Sequence, residues 1–91
     1  MFGGIMIIYK YNFGFPRVGT RTQVSLPVGT KILKIGEQNG DLVMWYTSSS
    51  DKDSIREYIW AFTGNTEVPN NVRYVDTIQH SCGLVYHLFE V

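Results

Sequence analysis

The sequence predicts an all-β single small domain of six or seven antiparallel strands, arranged as a sandwich or a small barrel. Three observations carry that prediction. Apolar and polar residues alternate with a period of two along most of the chain, β-branched and aromatic residues crowd each alternating run, and no stretch sustains a helical period. The runs are separated by short clusters of Gly, Pro, Asn and Ser, the punctuation of hairpins and of crossings between sheets.

The first run, Ile5 to Phe13, sets Ile5, Ile7, Tyr9, Tyr11 and Phe13 on one face and Met6, Ile8, Lys10 and Asn12 on the other; Gly14 and Pro16 end it. Thr20 to Leu26 alternates weakly, with Val24 and Leu26 inward, and Pro27-Val28-Gly29-Thr30 reads as a turn. Lys31 to Gln38 leads straight into Asn39-Gly40, two residues that tolerate the positive φ of a type I′ hairpin turn. Asp41 to Ser48 returns with Leu42, Met44 and Tyr46 on one side and Val43, Trp45 and Thr47 on the other. After a polar loop from Ser48 to Ser54, Ile55 to Thr63 sets Arg56, Tyr58, Trp60 and Phe62 opposite Ile55, Glu57, Ile59 and Ala61. Gly64 to Asn71 is a turn-rich connection, and Val72 to His80 and Gly83 to Val91 are the last two strands. Trp45 and Trp60 are read as core residues, since each sits mid-strand among apolar neighbours.

Residues 1–91 are enough for one domain and no second core. The apolar start has no basic region before it and reaches Tyr9-Lys10-Tyr11 too soon for a signal peptide or a bilayer span; residues 1–5 are read as a flexible or upstream-start extension before Met6. No membrane association is expected. A single cysteine excludes an internal disulfide and points to a reducing compartment. Eight basic and eight acidic residues cancel, which argues against a globally basic nucleic-acid binder. The charges are nonetheless segregated. Residues 1–36 carry Lys10, Arg17, Arg21, Lys31 and Lys34 and no acid, whereas all eight acids follow. Either a basic face docks on an anionic partner, or antiparallel pairing sets the basic strands beside acidic ones.

Residue types that carry catalytic or metal chemistry are sparse. His80, Cys82 and His87 lie near one turn, but zinc sites with a recognisable signature pair closely spaced ligands twice, and a nucleophilic cysteine needs a third partner that is missing here. No enzyme, cofactor or metal is expected. Asp76 falls on a face, with Val72, Tyr74 and Ile78, that otherwise reads as buried, so it needs Arg56 or Arg73 as partner or a bend at a sheet edge.

The ordered motifs Ile8-Tyr9-Lys10-Tyr11, Leu26-Pro27-Val28-Gly29-Thr30-Lys31-Ile32-Leu33, Gln38-Asn39-Gly40 with Met44-Trp45, Phe62-Thr63-Gly64 with Pro69, Tyr74-Val75-Asp76-Thr77 and Leu84-Val85-Tyr86-His87-Leu88-Phe89-Glu90 resemble an uncharacterised family of small phage and prophage proteins. The resemblance spans roughly residues 7–90 and departs at Val75-Asp76, where a glycine-containing tripeptide is usual, and after Trp45, where Tyr46 and serines replace an apolar stretch. It implies a phage origin and a bacterial host cytoplasm, and supplies no catalytic residue. The expected role is that of a phage accessory protein that binds and inhibits or sequesters a host protein, such as a component of a defence system, without catalysis. Tyr9, Tyr11, Arg17, Arg21 and Lys34 are the candidate protein-binding residues. The alternatives are a small-molecule or nucleotide sponge at an oligomer interface and a virion assembly component. A homodimer is compatible with either, because a small all-β chain rich in aromatics has apolar area to cover.

Overall fold

Seven strands form close to where the alternation places them: β1 (Ile8–Gly14), β2 (Arg21–Pro27), β3 (Lys31–Gln38), β4 (Asp41–Thr47), β5 (Asp53–Phe62), β6 (Arg73–Gln79) and β7 (Val85–Glu90). The computed structural model describes residues 6–91, so the Met1–Ile5 extension, with Ile5 of the first alternating run, lies outside the described residues. Every pairing is antiparallel. Sheet A has the order β1-β4-β3 and sheet B the order β2-β5-β7-β6. Neither sheet closes, so of the two architectures expected from the sequence the sandwich is the one realised. Among the described residues there is no helix, and hence none long and apolar enough to cross a membrane.

Turn chemistry decides where the chain stays in a sheet and where it crosses. Asn39 and Gly40 adopt φ of 53° and 85°, the two positive values that a type I′ turn needs, and they join β3 to β4 within sheet A. In Pro27-Val28-Gly29-Thr30, Gly29 takes φ 78° at the third position while Thr30 N–H bonds Pro27 O at 3.1 Å, and the chain passes from sheet B to sheet A.

The core lies between the sheets. Val24, Leu26, Tyr58, Trp60, Tyr86 and Leu88 of sheet B face Ile35, Leu42 and Met44 of sheet A. Trp60 meets Phe13 edge-on at 5.2 Å and 84°, and Tyr86 at 5.9 Å and 89°, the arrangement in which a positive ring edge meets a negative ring face. The hydroxyls of Tyr58 and Tyr86 and the indole N–H of Trp60 are buried and have no hydrogen-bond partner among the described residues. Burial pushes both tyrosine hydroxyls above their ordinary titration range. Removing a buried hydroxyl that makes no bond gives up nothing but its desolvation cost. Tyr86→Phe should therefore leave stability unchanged or raise it by up to about 1 kcal/mol. Urea unfolding of the two proteins checks this, and a loss above about 1 kcal/mol would mean that the hydroxyl is bonded.

Two expectations are corrected, the first of them at a bulge. In β6 the register shifts between Tyr74 and Asp76, so Val75 and Ile78 pack against the core while Tyr74 is exposed. Asp76 thus bends an edge strand, its carboxylate accepting the Thr77 N–H at 2.8 Å, and it is Glu90 that takes both Arg56 and Arg73. In β3 the shift between Ile32 and Lys34 puts Ile32 and Ile35 on the core side and Lys34 outside. The second correction is Trp45. It lies on the outer face of sheet A, paired across β4 with Lys10 and Lys34, and only Trp60 of the two tryptophans is a core residue. Both faces of β4 are apolar, so alternation alone could not say which faced inward.

Two polar clasps tie the sheets together at opposite ends of β7. At one end Glu37 of β3 accepts the Ser81 N–H at 2.8 Å and the Ser81 hydroxyl, and these bonds hold its carboxyl below the ordinary value. Beside it, buried His80 Nδ1 accepts the Cys82 N–H at 3.0 Å, which leaves Nε2 to donate to Gly40 O at 2.7 Å. At the other end Arg56 Nε and Nη2 donate to Glu90 at 2.6 and 2.8 Å, Arg73 donates to the same carboxylate, and Arg56 Nη1 reaches Thr30 O at 3.2 Å.

Candidate functional site

A sandwich of two open sheets has four edge strands, here β1, β3, β2 and β6. An edge strand presents unpaired backbone N–H and C=O groups, and proteins ordinarily blunt it with charge, proline or a bulge. Three of the four are blunted: β3 by Lys31, Lys34 and its bulge, β2 by Arg21 and Pro27, β6 by its bulge, Arg73 and Asp76. The first half of β1 carries the least of this protection, with no proline and no bulge. Its bulge lies at the far end, between Asn12 and Gly14, and Lys10 is its one charge.

Around that edge the surface is apolar. Met6, Ile7 and Ile8 are 67%, 52% and 57% exposed, and among the described residues nothing pairs with the side of β1 turned away from β4. Thr47 holds the segment in place by donating its hydroxyl to Ile7 O at 2.8 Å. On the outer face of sheet A, Lys10, Trp45 and Lys34 stand in one cross-strand row. The Trp45 ring lies over Gly36, where an added Cβ would come within 3.2 Å of it. Lys10 Nζ donates to Gln38 Oε1 at 2.6 Å, and the one acid among the strand residues of this face is Asp41, which accepts from Asn12 at 3.0 Å at the hairpin end. Part of the charge segregation read from the sequence therefore survives on this face.

Of the five candidate residues, the structure brings some near this surface and disperses the rest. Tyr9 is exposed and stacks on Tyr46 at 5.5 Å on the core side of β1, where sheet A overhangs its partner. Tyr11 is half-buried against the core, edge-on to Phe13 at 4.9 Å. Lys34 is on the outer face beside Trp45. Arg17 is exposed in the β1–β2 connection, and Arg21 lies on the outer face of sheet B, 3.5 Å from Glu57, the cross-strand neutralisation that was the alternative reading of its charge. Sequence reasoning missed Trp45 and the exposed Met6–Ile8. Gly36 in mid-strand was the available signal, because a glycine in a strand interior often marks close approach by a neighbouring group.

The histidine–cysteine group separates. His80 is part of the inter-sheet clasp, Cys82 is exposed in its turn, and His87 lies on the outer face of sheet B between the hydroxyls of Thr63 at 2.7 Å and Thr77 at 2.9 Å. Among the described residues no three His, Cys, Asp or Glu side chains converge as a metal-binding group.

What the β1 edge can do is lend main-chain hydrogen bonds to an added strand, with the exposed apolar side chains and the Trp45 row giving it side-chain contacts. No curated protein and no solved structure matches the chain. Residues 6–91, the whole of the described sandwich, match the model of a domain of unknown function (DUF7352), and the chain belongs to that family.

Proposed function

We propose that this chain is a phage or prophage accessory protein that acts in the bacterial host cytoplasm as a non-enzymatic binding protein, occupying and inhibiting or sequestering a host protein. The observation that carries the reading is the apolar edge of β1, whose first half has Lys10 as its one charge and neither a proline nor a bulge. Contact begins with β-strand addition along Ile7–Tyr11, and the Lys10–Trp45–Lys34 row favours a partner with acidic groups beside its docking strand. Tyr and Trp anchors give such interfaces most of their binding energy.

The test compares the tagged chain with two variants, Ile8→Lys and Trp45→Ala, as bait in a bacterial lysate, followed by reconstitution of any captured protein as a purified complex. The expected result is one host protein that binds the unmodified chain, slows hydrogen exchange at the β1 amides, and loses affinity about tenfold or more with either variant. A partner that binds both variants equally well, or protection that falls on β2 or β6, would overturn the reading. So would a chain that captures no protein and pairs only with a second copy of itself.

A further inference from the structure

At the edge opposite β1, the start of β3 and the start of β6 bound a cleft of about 360 Å³, at the lower end of the ~300–1,000 Å³ range of small-ligand sites. Its lining includes Lys31, Arg56 and Arg73 together with Ile32, Tyr74 and Val75. Three cations share it with one carboxylate, that of Glu90, which accepts from both arginines. A purely structural pair would need Arg56 and Glu90 alone. Arg56 is held by three bonds to two partners, two to Glu90 and one to Thr30 O, and is thus fixed as a charged floor. Arg73 adds a guanidinium whose side chain is 70% exposed and spends a single N–H on Glu90. Lys31 takes part in none of the ion pairs among the described residues. The cleft is left with two uncompensated positive charges beside an apolar wall of Ile32 and Val75. Tyr74 borders the rim, with its ring turned to the outer face of sheet B against Phe89 at 5.8 Å.

Two positive charges, one of them on a planar fork of donors, match a phosphate dianion better than a carboxylate. The apolar wall asks for a ligand with an organic part behind the phosphate. We propose that this cleft is a binding site for a phosphate-bearing small molecule of mononucleotide size, its phosphate held between Lys31 and Arg73 and its organic part laid against Ile32 and Val75. The cleft opens at the β3 edge of sheet A, the edge opposite β1, and Lys31 borders both this cleft and a second pocket that includes Met6.

The experiment is an NMR titration of the full chain with three probes: inorganic phosphate, adenosine 5′-monophosphate and adenosine. The expected result is saturable shifts of the Lys31, Arg73, Tyr74 and Val75 amides with the monophosphate, weaker shifts at the same amides with inorganic phosphate, and none with adenosine. Arg73→Ala and Lys31→Ala should each weaken binding about tenfold while leaving the spectrum of the free protein dispersed, since both side chains are exposed; Lys52→Ala should change nothing. Shifts centred on Lys10 and Lys34, equal binding by both cleft variants, or no saturable shift at millimolar probe would each overturn the proposal. The β1 variants play no part in this readout, so either proposal can fail alone.

Discussion

Trp60→Ala is expected to remove about 3–5 kcal/mol of folding stability, the usual cost of emptying a large aromatic site in a closed core. Trp60 is 0% exposed and packs edge-on against Phe13 from sheet A and Tyr86 from sheet B, so the space it leaves is walled by both sheets and cannot collapse without moving them. A domain of this size has on the order of 5–10 kcal/mol in total, so the variant loses about half of its stability and should unfold at markedly lower urea and temperature. Trp60→Phe keeps the edge-on contacts and discards the indole N–H that has no partner, and should cost markedly less. Urea denaturation followed by circular dichroism measures both. If Trp60→Ala unfolds cooperatively with a loss below about 1.5 kcal/mol, the two sheets are not held together at this point.

The second large effect belongs to Glu90. Its side chain is 11% exposed and accepts two bonds from Arg56 and one from Arg73. Glu90→Gln keeps the shape but removes the charge, leaving the half-buried Arg56 guanidinium without its counter-ion. The expected loss is about 3 kcal/mol, most of it from Arg56, because the exposed Arg73 is well solvated either way. The same group fixes the acid response. The Arg56 hydrogen bonds hold the Glu90 carboxyl below its ordinary value of 4.5, as the Ser81 bonds do for Glu37, despite an opposing contribution from burial. Above pH 4.5 both the folded and the unfolded chain carry these groups ionised and their contribution is complete. As pH falls below 4.5 the unfolded chain takes up protons first, so stability declines and is lost once the folded carboxyls are protonated as well. Thermal unfolding from pH 7 down to pH 3 should show a fall in Tm beginning near 4.5 that is shallower in Glu90→Gln. An identical slope in the two proteins would remove Glu90 from the account.

Strand identity was legible because it depends on neighbours in sequence. Period-two alternation and β-branched residues define each strand, and Asn39-Gly40 joins its two strands because few residues other than Asn and Gly accept two successive positive φ angles. Val24 and Leu26 on β2, whose other face is polar, and Trp60 on β5 face inward as expected. The candidate site was less legible. Tyr9 and Lys34 were singled out, but the exposure of Ile8 and the outward turn of Trp45 follow from which strand lies beside β1 and how far sheet B extends beneath it, and neither is written in local pattern.

Bulges mark the same boundary. One extra residue at Leu33 or at Val75 reverses which side chains meet the core, and its position is set by the partner strand across the ladder. Asp76 was read as needing an arginine or a bend at a sheet edge; it has the bend, and Glu90, 34 residues from Arg56 in sequence, is the acid that takes two arginines. The sequence by itself determined the class of fold, the strands, the turns and the separation of basic from acidic segments, all of which follow from local sterics and hydrophobic period. Only the tertiary structure decided which edge is least protected, which tryptophan faces outward and which carboxylate gathers the arginines, because those depend on side chains that the chain brings together across two sheets.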